Sequence, residues 1–147
     1  MTQRLSENVA VVATIDPDAY SAAAYNSDAV DMANMDRVMF IVQVGTMAST
    51  STVDFKLQGD TASGFSSPVD LTGKAITQLT EAGADSDKQA IVEVTGDEVL
   101  AQGLRYVRGV MTVATAASDA GVIALGQSLR YQPAENFDLA SVDEIVA

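Results

Sequence analysis

Carboxylates at short spacing are the first residues in this 147-residue chain that could do chemistry. Asp16-Pro17-Asp18 and Asp85-Ser86-Asp87 each offer oxygen ligands two positions apart, and Asp28 with Asp31 could add others to a hard-cation site. None of these stretches carries the glycine and terminal glutamate of an EF-hand loop, so a hydrated acidic turn is the commoner explanation and no metal ligand is assigned. Acid–base hydrolysis of a glycoside can also be built from Asp and Glu alone, but nothing in the spacing selects a pair. With no tryptophan, four Phe and four Tyr, an aromatic sugar platform is not conspicuous. Gly59-Asp60-Thr61-Ala62-Ser63-Gly64 is a small-residue loop and not a phosphate cradle, because no Gly-Lys-Ser or Gly-Lys-Thr follows it.

The chain has no histidine and no cysteine. The commonest general base, the best protein nucleophile and the usual transition-metal ligands are therefore missing. Ser141 has no imidazole to activate it, and Lys56, Lys74 and Lys88 stand in polar settings that suit ordinary ammonium groups. The expectation is a protein that is not an enzyme, with no catalytic, cofactor-binding or metal-binding residue and no cofactor. Twenty Asp plus Glu against eight Lys plus Arg give a formal charge of −12, which opposes contact with nucleic acid or anionic lipid. No apolar stretch approaches the roughly 20 residues of a membrane-spanning helix. Residues 1–7 lack the pattern of a secretory signal, so synthesis in a cytoplasm is expected.

Whatever this chain does must be positioned by strands. In Thr52-Val53-Asp54-Phe55-Lys56-Leu57-Gln58, strict alternation sends Val53, Phe55 and Leu57 to one face and the polar residues to the other. Residues 37–44 are instead apolar on both faces, as in a central strand, the commoner case, or in a strand covered by another subunit. On the second reading Val38, Phe40 and Val42 become interface candidates. Further strands are expected over 8–15, 19–25, 90–95, 104–115 and 122–131, each rich in β-branched or aromatic residues. Turn chemistry at 45–49 and 116–121 suggests antiparallel hairpins joining the flanking strands. Residues 70–79 fit a short helix or an extended excursion equally well. The spacing as a whole predicts one mainly-β domain over 1–147, an antiparallel sandwich of two packed sheets.

Two features lie outside this rhythm. Arg105 and Arg108 are three positions apart in a strand and so fall on opposite faces; Arg108 could pair with a carboxylate within the chain, the commoner outcome, or across a subunit boundary. The tail over 134–147, opposite an N-terminal arm over about 1–7, places Ser141 and Glu144 at capping-box spacing. Helical winding there would align Leu139, Val142, Ile145 and Val146 in one apolar stripe. So short a helix needs a surface to dock on, its own domain or a neighbour. Phe137, Leu139, Val142 and Ile145 are accordingly docking candidates.

Five segments, 11–17, 69–80, 87–91, 104–108 and 137–146, resemble in order the small proteins of tailed-phage and prophage head-gene modules, in particular capsid decoration or cement proteins. The resemblance implies a jelly-roll-like β-sandwich with short terminal arms, attached to the outer surface of an icosahedral shell and bridging its capsomers. It implies the major capsid protein as partner, a homotrimer near a local threefold position, and residence on the virion after synthesis in the cytoplasm of a bacterial host. It supplies no reacting residue. Two other readings stand beside it: a phage tail or head-to-tail connector component, and a carbohydrate-binding module.

Overall fold

A computed structural model describes residues 4–130 and 133–146. Among these residues ten strands run in chain order: β1 (Val9–Tyr20), β2 (Ala23–Asn26), β3 (Val30–Asp31), β4 (Met35–Met47), β5 (Thr52–Asp60), β6 (Val69–Ala75), β7 (Leu79–Thr80), β8 (Gln89–Thr95), β9 (Tyr106–Ala114) and β10 (Ser118–Leu129). They form two antiparallel sheets, β1-β10-β4-β8 and β2-β9-β5-β6, with β3 added to β9 and β7 to β5. Leaving aside the two-residue strands β3 and β7, first pairs with last, second with seventh, third with sixth and fourth with fifth. This is the connectivity of a jelly roll, and the chain is an antiparallel β-sandwich as expected.

The core follows from alternation. Val53, Phe55 and Leu57 of β5 point inward to meet Val38, Phe40, Val42 and Val44 of β4, and all seven are buried. The rings of Phe40 and Phe55 sit 5.9 Å apart between the two sheets, tilted by 44°. Gly109 of β9 lies beneath Phe55; a Cβ added there would come within 2.5 Å of Cζ, so only glycine leaves room for the ring.

The two expected hairpins are not hairpins. Both turns carry the chain from one sheet to the other, since β4 pairs with β10 and β8 while β5 pairs with β9, β6 and β7. The turns lie side by side, Ala48 N–H donating to Ala117 O at 3.0 Å and Ser51 Oγ–H to Ala116 O at 3.0 Å. Thr50 and Thr115, both at φ 68°, make the bends. A four-strand ribbon therefore folds over as a unit, and its buried corner serines, Ser51 and Ser118, keep their hydroxyls bonded.

Other boundaries shift modestly. β1 continues to Tyr20 and the next strand begins only at Ala23, in the opposite sheet. Residues 70–79 are extended, as β6 and the approach to β7. The last expected strand ends at Leu129, and its expected final residue, Tyr131, lies outside the described residues. One α-helix was not anticipated: α1 (Gly96–Ala101), where Thr95 Oγ1 accepts from Glu98 N–H and Glu98 Oε2 accepts from Thr95 N–H. It is anchored by fully buried Val99. Among the described residues, no helix is long and apolar enough to cross a membrane.

Candidate interaction surfaces

The acidic motifs separate once folded. Asp85 is a structural turn residue: Oδ1 holds Lys88 Nζ at 2.8 Å and Oδ2 accepts from Thr80 N–H at 2.9 Å, which together keep its carboxyl below the ordinary range. Asp87 points elsewhere, exposed, at φ 61°. Asp31 is clamped by Arg105 through Nε and Nη2 at 2.9 and 2.7 Å, and this pairing lowers its pKa. Asp16 and Asp28 do converge, both accepting from Thr14, in a groove shared with Tyr20 and Tyr25, whose ring centroids lie 4.3 Å apart. Tyr20 donates its hydroxyl to Asp16 O, and burial raises its pKa. Among the described residues, no three carboxylates come together as a metal site.

The outer face of the β2-β9-β5-β6 sheet is a cross-linked polar surface. Lys56 Nζ meets Asp70 Oδ2 at 2.7 Å, Gln58 Nε2 donates to Asp70 Oδ1 at 2.9 Å, and Gln58 Oε1 accepts from Arg108 Nε and Nη2 at 3.2 and 2.9 Å. The Arg108 guanidinium also lies 4.5 Å from the centre of the Phe65 ring. Arg108 therefore does not pair with a carboxylate, as composition suggested it would; a neutral amide and an aromatic face hold it instead. Asp60 fixes the loop that delivers Phe65. It accepts from Ser67 N–H at 2.8 Å and from Ala62 N–H at 3.1 Å, and these bonds hold its carboxyl below the ordinary range.

Lys74 joins the open edges of the two sheets. From β6 it ion-pairs with Glu98 of α1 and donates to Glu93 O of β8, both at 2.8 Å. A lysine over an exposed edge also blocks further strand pairing there.

The interface candidates from sequence divide into two groups. Val38, Phe40 and Val42 are completely buried between the sheets, so no partner reaches them while the sandwich stays closed. β4 lies inside its sheet, between β10 and β8, which buries this alternate set against the opposite sheet. In the tail, the capping-box helix does not form: the residues of the expected turn, 141–146, are not helical, and the structure has instead a short 3-10 turn over Ala134–Phe137. Phe137 packs partly buried on the core. Asp138 Oδ1 accepts from Val11 N–H at 2.6 Å, and Leu139 N–H donates to Val11 O at 2.9 Å, closing the edge of β1 against its own chain. Val142 is half-buried, whereas Ile145 and Val146 are 43% and 87% exposed.

The outer face of the β1-β10-β4-β8 sheet differs from all of these. Its outward side chains include Met39 and Ile41 of β4, Ile123 and Leu125 of β10, and Ile91 of β8, which is 60% exposed. On β4 the residues between the buried candidates, Met39 and Ile41, are the accessible ones.

No family model matches the chain, and no curated protein is similar to it in sequence. Several solved structures are distantly similar to it. A chain of infectious bursal disease virus, Gx strain, is 8% identical with a TM-score of 0.44 over 86% of this chain and 34% of that one. The VP2 subviral particle of the same virus gives 10% and 0.46 over 88% and 35%. A chain from Bacillus endospore appendages, a family of disulfide-linked pili, gives 15% and 0.34 over 85% and 92%. The chain thus spans about a third of the length of the viral chains it matches. Each is a distant likeness of fold, and this chain has no cysteine with which to form disulfide links.

Proposed function

We propose that the chain is a structural protein of a phage particle, a decoration protein that binds the outer surface of the capsid and stabilises the shell by bridging capsomers. The observation that carries this reading is the pair of terminal arms. The N-terminal 3-10 turn (Leu5–Glu7) packs beside the turn over Ala134–Phe137 at the β1 edge, and the arms present Leu5, Ile145 and Val146 to solvent, Leu5 at 76% exposure. Apolar arms on a rigid sandwich suit shallow contacts that gain strength by repetition over a symmetric surface. A site completed by several capsid subunits favours the assembled shell.

The test is a reconstruction of native particles from the strain that encodes the chain, with and without residues 143–147. Density for the sandwich on the outer shell, reduced in occupancy by the truncation, is the expected result; density confined to a tail or connector, or none, rejects the decoration role. A carbohydrate-binding module is the second reading, because jelly rolls serve lectins as well as capsids and the Tyr20–Tyr25 groove with Asp16 and Asp28 offers rings beside hydrogen-bond acceptors. Binding on a glycan array that is lost in Tyr25→Ala would favour it.

A further inference from the structure

The outer face of the β1-β10-β4-β8 sheet is arranged as its own complement. Its middle row runs Thr14, Ile123, Ile41 and Ile91 across the four strands. On one side the next outward row is Val11, Leu125, Met39 and Glu93, and beyond it stands Arg37, exposed and without a carboxylate partner among the described residues. On the other side the matching row is Gly121, Gln43 and Gln89, small or uncharged, with the Asp16-Pro17 bulge of β1 beside Gly121. Beyond that lies Gly45, flanked by two carboxylate residues: a Cβ added at Gly45 would be 3.1 Å from Asp119 Cβ, and Asp87 N–H donates to Gly45 O at 3.1 Å. With Asp18 they line a shallow depression of about 550 Å³ that no Lys or Arg enters.

Arg37 and Gly45 lie four positions to either side of Ile41, about 13 Å each way along a strand. We propose that two copies of the chain pack face to face through this sheet, about a twofold axis crossing the strands at the Ile41 row. Each copy then sets its Arg37 over the partner's Gly45, between Asp87 and Asp119. Leu125 meets Gly121, Met39 meets Gln43, and the isoleucines of the middle row meet their own counterparts. The interface is isologous, so each contact off the axis occurs twice.

Charge selects both the occupant and the orientation. Each copy carries −12, yet on β10, β4 and β8 these three middle rows hold a single carboxylate residue, Glu93, so like copies meet over a strip with few like charges. An axis along the strands would instead set Arg37 against Arg37 and the acidic ends against each other. The stripe is small, so the pair is weak alone and gains from repetition on a particle. The inference rests on the assembly reading above, with a twofold pair in place of the trimer implied by resemblance. Its test needs only the purified chain, so failure of the pair leaves shell attachment standing, and absence from particles leaves the pair standing.

Sedimentation equilibrium from about 1 µM to about 1 mM at low salt should show a monomer–dimer equilibrium. Arg37→Glu and Asp119→Lys, each at an exposed position and checked for folding by circular dichroism, should weaken it at least about tenfold. Mixing the two variants should restore a 1:1 heterodimer, because opposite charges then face each other at both ends. Ile91→Asp, also exposed, should abolish the pair without any charge at the ends being altered. A wild-type chain that stays monomeric or forms trimers, variants that associate like the wild type, or a mixture that fails to recover would each overturn the proposal.

Discussion

The outer faces of the two sheets are built on the same principle and finished in opposite ways. On the β2-β9-β5-β6 side, Lys56, Asp70, Gln58 and Arg108 are linked hand to hand, and Asp60 pins the loop that brings Phe65 under the guanidinium. On the β1-β10-β4-β8 side, isoleucine, methionine and leucine occupy the equivalent outward positions, while Arg37 and the Asp87–Asp119 end stay unlinked. One face satisfies its own polar groups and needs nothing more. The other exposes apolar area and charged ends that no other part of the described chain covers, and it is this face that we propose a second copy covers.

The sharpest way to break both faces together is to remove the ring that supports them. Phe55→Ala should cost about 3–5 kcal/mol, read as a lowered urea midpoint, because the space between Gly109 and Phe40 cannot collapse fully. Acid should distinguish the regions next. Asp31, Asp60, Asp70, Asp85 and Glu98 all have carboxyls lowered by their partners. Their contribution is complete above the ordinary carboxylate values of about 4 and is lost as pH falls through the lower folded ones. Urea midpoints should therefore decline below about pH 4, and Asp70→Asn should make the decline shallower; an unchanged slope would count against that network. Gln58→Ala should cost about 1–2 kcal/mol by unlinking Arg108, with self-association unchanged. Ile91→Asp should reverse this pattern, shifting stability by less than about 0.5 kcal/mol while removing association.

Much of the sandwich was legible because period-2 alternation states which face of a strand is buried, and Val53, Phe55 and Leu57 obey it. Alternation says nothing about which strand lies alongside, so the turns at 45–49 and 116–121 looked like hairpins when they are corners between sheets. The capping boxes show the same gap. Thr95 with Glu98 and Ser141 with Glu144 have identical spacing, yet only the first starts a helix, because Val99 follows it into the core. The second follows a stretch already committed to the β1 edge through Asp138 and Leu139, and Ile145 and Val146 of its apolar stripe stay exposed. The outer apolar face was hidden for a related reason: in a doubly apolar strand, composition alone does not say which alternate set is the core.

The measurement that most directly tests the unfinished face is a pair of spin-label distances. The chain has no cysteine, so single cysteines at Thr14, on the Ile41 row, and at exposed Gln127, on the Arg37 row, give unique labels while leaving the proposed contacts in place, the first near the twofold axis and the second remote from it. Pulsed dipolar spectroscopy at dimer-forming concentration, with unlabelled chain added as a dilution control, should give a short distance between the two labels at position 14. The labels at position 127 should be separated by about 26 Å along the strands in addition to the spacing of packed sheets, about 10 Å. A short distance at 127 with a longer one at 14, or no dipolar coupling at either position, would contradict the arrangement.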